Sequence, residues 1–171
     1  MIIGLFGLSG SGKTHLTNEF KILHQDYFCT SASDLLKASK RPVKSEALDT
    51  TNLNFNQYVL VEKLSEIYKI HKKIFIELHA IIEDKNGKYY KVDGHILNSL
   101  NLDLILFLDT PIEKILDQRN NDKKKTRPYT NLYQLKQLSF LQKKYLNEVF
   151  PNDKVKCIQK ISDIEKLMPL S

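Results

Sequence analysis

The chain has 171 residues, 42% hydrophobic and 27% charged, which suits one compact domain and excludes a disordered, fibrous or low-complexity chain. Its apolar run at 104–108 is far too short to span a bilayer. Residues 1–8 lack a basic leader and a cleavage site, so a cytoplasmic setting with Cys29 and Cys157 reduced is expected. The formal charge of +6 suits a phosphate-rich ligand or a nucleic acid, and equally a merely soluble protein.

Taken in order, short apolar runs alternate with longer amphipathic ones, the pattern of βα units around a parallel sheet. Residues 2–6 read as a buried strand and 13–24 as the helix after it. Residues 27–30 make a short second strand, and Ser31 with Asp34 three positions on caps a helix to about Ala38. Residues 41–54 are polar and irregular. Helical spacing returns over 55–71 through Val59, Leu60, Leu64, Ile67 and Tyr68, and 74–78 is a third strand. The turn at 85–88, with Asn86-Gly87, joins two short extended pieces.

Residues 104–108 are apolar throughout, as a strand inside a parallel sheet requires. Thr110, Pro111 and Glu113 then read as N-cap, first helical residue and capping-box acid, with Asp109 helping to cap. Residues 120–129 break the periodicity. A long helix from 132 to 150 presents Leu135, Leu138, Leu141, Tyr145 and Val149 on one side. A strand at 154–158 and a helix at 163–168 follow. Five strands with crossover helices predict a three-layer α/β/α fold on a five-stranded parallel sheet.

Gly7-Leu8-Ser9-Gly10-Ser11-Gly12-Lys13-Thr14 matches G-x-x-x-x-G-K-[ST] in full, after an apolar strand and before a helix. The glycines let backbone N–H groups wrap around phosphate oxygens, reinforced by the positive end of the following helix. Ser9, Gly10, Ser11 and Gly12 therefore line a nucleotide cradle. Lys13 would reach the β- and γ-phosphates of ATP, and the Thr14 hydroxyl would ligate Mg²⁺. This is the P-loop, and it specifies a nucleotide rather than a reaction. No Asn/Thr-Lys-x-Asp segment for guanine follows, which argues against a GTPase.

Only Arg41, Arg119 and Arg127 among the 26 basic residues are arginine. Against a lysine background, arginine is the candidate for planar, bidentate phosphate recognition. A surface ion-pair role is the alternative for each.

Several segments resemble nucleoside monophosphate kinases, most closely small archaeal-type adenylate kinases. Residues 31–38, including Asp34 and Lys37, are similar to the family's acceptor segment, with Lys37 where the family has an arginine. Phe75-Ile76-Glu77-Leu78-His79-Ala80 resembles the family's hydrophobic-Asp-x-His-Ala strand, with glutamate for aspartate. The resemblance implies that Glu77 lies at the Mg²⁺ site and His79 near the phosphates. An ATPase of small-ribosomal-subunit maturation shares the fold and a similar Asp-x-His. The segment from Arg119 to Arg127 resembles the family's short lid, whose two arginines close on the transferring phosphoryl group.

The sequence thus predicts one domain over 1–171, with an acceptor-binding segment at 31–72 that includes Asp34, Lys37 and Arg41, and a lid at 119–128. Lys13, Arg119, Arg127, Glu77 and His79 are the expected catalytic residues. The expected activity is transfer of the ATP γ-phosphoryl group to a nucleoside monophosphate. The alternatives are an ATPase acting on a protein or RNA partner, and a kinase of another small molecule or an RNA end.

Overall fold

The structure is a computed structural model that describes residues 1–41, 50–83, 88–122, 131–150 and 154–168, with side chains in the third helix described from residue 55. Strand β1 (Ile2–Phe6) runs up the centre of the sheet into the P-loop, and α1 (Lys13–Leu23) leaves it. Then come β2 (Phe28–Ser31), α2 (Ala32–Ala38), α3 (Thr50–Ile70) and β3 (Ile74–Glu77). The hairpin β4 (Ile81–Glu83) and β5 (Tyr89–Lys91) precedes α4 (Gly94–Ser99). The chain closes through β6 (Leu104–Leu108), α5 (Ile112–Asn121), α6 (Leu132–Val149), β7 (Val155–Ile158) and α7 (Ile161–Glu165).

Five strands pair in the order β2-β3-β1-β6-β7, all parallel, and β4 and β5 form a separate antiparallel pair. Alternation along β1 divides the core between the two faces of the sheet. Ile2 and Phe6 pack with Leu60 and Leu64 of α3, Leu97 of α4 and Leu146 of α6. Ile3 and Leu5 pack with Leu16 and Phe20 of α1 and Ile164 of α7. Phe20 stacks on Phe75 at 4.2 Å between ring centroids. A Cβ on Gly4 would lie 2.7 Å from Leu102 Cδ1, so a side chain at this central position would displace that leucine.

The expected α/β/α layering and five-stranded sheet are present. Differences fall at edges and short elements. Helix α3 begins at Thr50, earlier than its periodicity suggested, and residues 42–49 lie outside the described part. Helix α4 was missed, because six residues are too few to establish a period; its signal was Asp93, whose carboxylate accepts from the His95 N–H at 2.7 Å. The extended pieces around Asn86-Gly87 are β4 and β5, while residues 84–87 themselves are outside the described part.

The start of α5 corrects the capping expectation. Pro111 is the N-cap, without a side-chain cap, and the helix begins at Ile112. Thr110 turns instead to the P-loop and donates to the Ser11 carbonyl at 2.7 Å, and Asp109 pairs with Lys143 at 2.7 Å. Partners brought up by the tertiary fold took both side chains away from the helix end.

Candidate functional site

The carboxyl edges of β1, β3 and β6 meet at the P-loop, where ligands bind in open α/β sheets. Gly10 and Gly12 hold φ of 85° and 91°, backbone conformations costly for any residue with a Cβ. Between them, Ser11 N donates to Leu8 O at 3.1 Å and closes the turn. Ser11 Oγ is buried with no hydrogen-bond partner among the described residues. An orphaned hydroxyl is costly in a finished core but fits a cradle built to meet phosphate oxygens.

Lys13 is the first residue of α1 and only 6% exposed. Its Nζ donates to Gly7 O at 2.8 Å and Leu8 O at 3.0 Å, so the ammonium is held over the loop. The next residue, Thr14, donates its hydroxyl to Glu77 Oε2 at 3.0 Å. Glu77 ends β3, in register with Leu5 of β1 and Ser31 of β2. The fit to Mg²⁺ rests on this pair. A hydroxyl and a carboxylate converge beside the phosphate cradle, the hard oxygen donors Mg²⁺ takes together with phosphates and water. Among the described residues no group of three His, Cys, Asp or Glu side chains could hold a metal alone, so phosphate and water would complete the sphere. His79 lies half-buried two positions beyond Glu77, on the turn into the hairpin.

Arg119 differs from the expectation of a lid residue. It lies in the last turn of α5 and is only 8% exposed. Its Nε donates to the Ser9 carbonyl at 2.9 Å and an Nη to Glu83 Oε2 at 3.3 Å. Its stem lies on the loop, since a Cβ on Gly10 would come within 3.0 Å of Arg119 Cγ. Burial, and after it the Glu83 carboxylate, pushes the phenol of Tyr89 up. Arg127 and the rest of the expected lid, residues 123–128, lie outside the described part.

In the segment expected to bind the acceptor, Ser31 caps α2 and pairs beside Glu77 in the sheet register. Asp34 accepts from Ser31 Oγ at 2.7 Å, and Lys37 pairs with Asp34 at 3.4 Å, both exposed. Helix α2 ends with Lys40 at φ 55°, where Lys40 N bonds Lys37 O and Arg41 N bonds Leu36 O, a Schellman closure. That turn delivers Arg41 to α3. Its guanidinium lies 4.4 Å from the Phe55 ring centroid, and its Nε donates to Asn56 Oδ1 at 2.9 Å.

The structure therefore brings Lys13, Thr14, Glu77 and Arg119 to one loop, and sets Asp34 and Lys37 on α2 and Arg41 against α3. Sequence reasoning missed Glu83 and Thr110. Glu83 lies in no motif, and Thr110 reads in sequence as a helix cap rather than as a P-loop contact, which only the tertiary structure shows. Desolvation pushes the thiols of Cys29 and Cys157 up, away from the thiolate form. Among the described residues no helix is long and apolar enough to cross a membrane.

Comparison with solved structures places the fold. Shikimate kinase from Acinetobacter baumannii, in complex with shikimate, matches with TM-score 0.64 and 16% identity, over 97% of this chain and 91% of that one. Shikimate kinase from Aquifex aeolicus matches with TM-score 0.62 and 14% identity, over 98% and 94%. A sugar kinase from Janibacter sp. matches with TM-score 0.59 and 15% identity, over 92% and 84%. No curated protein matches the chain. A family model described as an AAA domain matches residues 6–136, from the last residue of β1 through the P-loop and α5 into α6. The chain belongs to that AAA domain family, built on the α/β P-loop kinase fold.

Proposed function

We propose that the protein is an ATP- and Mg²⁺-dependent phosphotransferase whose acceptor is a nucleoside monophosphate. The observation that carries the reading is the 3.0 Å bond from Thr14 to Glu77 beside a complete P-loop. It supports a magnesium site, since this hydroxyl and carboxylate are hard oxygen donors that would hold Mg²⁺ beside the loop. Phosphoryl transfer needs positioning and charge stabilisation rather than covalent chemistry, and these residues supply both.

In this reading the loop N–H groups and Ser11 Oγ take the phosphates. Lys13 Nζ moves from the Gly7 and Leu8 carbonyls onto the β- and γ-oxygens. Thr14 and Glu77 would hold Mg²⁺, which would neutralise charge developing on transfer. Arg119 contributes a fixed positive charge at the loop, and Arg127 a second one from the lid segment. His79 lies beside the phosphates, and Asp34, Lys37 and Arg41 face the acceptor.

Support for a nucleotide acceptor comes from Glu77-Leu78-His79-Ala80 and its resemblance to archaeal-type adenylate kinases. The printed substrates of the structural neighbours, shikimate and a sugar, set the competing acceptors. The test incubates ATP and Mg²⁺ with each nucleoside monophosphate, shikimate and simple sugars in turn, and follows ADP and inorganic phosphate. ADP formed only with a monophosphate supports the reading. ADP formed with shikimate or a sugar replaces the acceptor. Phosphate release without any acceptor moves the protein to the ATPase alternative.

A further inference from the structure

The β4–β5 hairpin places one carboxylate, Glu83, against Arg119, whose Nε in turn bonds the P-loop at Ser9 O. Ile81 at its start is buried with Leu8 of the loop, Ile115 of α5 and Leu135 and Leu138 of α6. This apolar anchor fixes the strand that carries Glu83. The other end of the hairpin is held as well. Val92 N donates to Ala80 O at 2.9 Å, Tyr145 donates its hydroxyl to Val92 O, and Asp93 N donates to Gln57 Oε1 at 3.2 Å. Glu83 therefore stands on a supported element, with a side chain only 12% exposed facing an Arg119 side chain 4% exposed.

A guanidinium is a planar fork, so two acceptors on different N–H groups fix its plane as well as its position. Ser9 O takes Nε and Glu83 Oε2 takes an Nη, one from the loop and one from the hairpin. We propose that Glu83 is a positioning residue for phosphoryl transfer, fixing the Arg119 guanidinium against Ser9 so that loop and cation are set before nucleotide binds. The inference rests on the nucleotide-binding reading of the loop. A preset charge needs no reorganisation as the reaction proceeds, and that is where electrostatic catalysis gains most. Lysine at 119 would lose the fixed plane, and an uncharged residue at 83 would weaken the charge-assisted bond that holds it.

The test uses the small number of arginines. An arginine-selective ¹⁵Nε–¹Hε spectrum of the full chain should hold three side-chain signals, from Arg41, Arg119 and Arg127. Arg119 is assigned by its loss in Arg119→Lys. In Glu83→Gln, exchange of the Arg119 N–H protons with water should quicken by about tenfold or more. The kcat per folded molecule should fall by roughly tenfold to a hundredfold, the scale that misplacing a group by about 1 Å produces, while KM for ATP stays within about threefold. In the Arg119→Lys background the same substitution should add almost nothing to the loss. If Glu83→Gln fails to fold, Glu83→Asp, which keeps the charge but shortens the reach, should give an intermediate exchange rate and kcat. Unchanged Arg119 exchange overturns the proposal, as does faster exchange with unchanged kcat. Calorimetry with Mg²⁺ and ATP on the wild-type chain separates the two levels. No ATP binding overturns the nucleotide reading and the proposal with it, whereas ATP binding with an unmoved Arg119 in Glu83→Gln overturns the proposal alone.

Discussion

The Thr14 hydroxyl donates to Glu77 Oε2 at 3.0 Å, which ties the first turn of α1 to the carboxyl end of β3 across 63 residues of chain. Glu77→Gln keeps the size and an acceptor oxygen but removes the negative charge that would attract Mg²⁺. Turnover should fall by about 10²-fold or more, and the Mg²⁺ concentration for half-maximal rate should rise, while the thermal midpoint changes little. Turnover and melting measured together decide it. A lower midpoint with unchanged turnover per folded molecule would make the bond structural.

Lys13 Nζ bonds two loop carbonyls, and no backbone amide can replace its charge toward phosphate. Lys13→Ala should retain the wild-type circular dichroism spectrum and lose turnover by about 10²–10³-fold or more, the scale of removing one preorganised electrostatic donor. Wild-type turnover in a folded variant would remove the P-loop from the mechanism.

Gly10 and Gly12 both hold positive φ, yet their surroundings differ. A Cβ at Gly10 would meet Arg119 Cγ at 3.0 Å, whereas one at Gly12 meets nothing within 4 Å. Each alanine should cost about 1–2 kcal/mol for the left-handed backbone. Gly10→Ala should cost more, because it also presses on Arg119. Urea unfolding of the two variants compares them directly, and an equal loss would mean that Arg119 yields freely.

Arg119→Lys keeps the charge but cannot serve Ser9 and Glu83 with a planar fork. Its kcat should fall by about 10²-fold with a smaller rise in KM for ATP, because the group acts on developing charge. The same split is expected for Arg127→Lys under the lid role proposed for it. Wild-type kcat in both variants would leave the kinase reading without arginine catalysis.

Asp163 accepts from Gln159 N at 3.0 Å and Lys160 N at 3.2 Å, and the Gln159 bond first, opposed in part by desolvation, holds its pKa below the ordinary 3.8. Asp26 is lowered in the same direction, first by its bond to Lys73. Each carboxylate binds a proton less readily when folded than when unfolded. Their contribution to stability is therefore full above pH 3.8 and fades as pH falls through the lower folded values. Melting of wild type, Asp163→Asn and Asp26→Asn from pH 7 downward should show curves that converge below pH 3.8. A constant gap between them at all pH values would rule out this linkage.

Local pattern by itself determined the strands of the main sheet, the long helices and the P-loop. Each is encoded by neighbours: a run of apolar residues, a helical repeat, or glycines and a lysine at fixed spacing. Glu77 was legible through the resemblance of Phe75-Ile76-Glu77-Leu78-His79-Ala80 to a kinase strand motif, and its place at the end of a strand followed from the apolar run before it. Tertiary structure decided the rest. Thr110 reads locally as a helix cap, yet the Ser11 carbonyl, 99 residues away in sequence, takes its hydroxyl because β6 lies beside β1. Arg119 reads as a lid residue in a polar stretch, yet Ser9 and Glu83 draw it into the protein. A polar side chain carries no record in its own sequence context of which distant partner will satisfy it. Packing of α5, the hairpin and the P-loop around Leu8 and Ile81 settles that choice, since a charge or hydroxyl taken out of water must find its partner among whatever groups the fold has brought within reach.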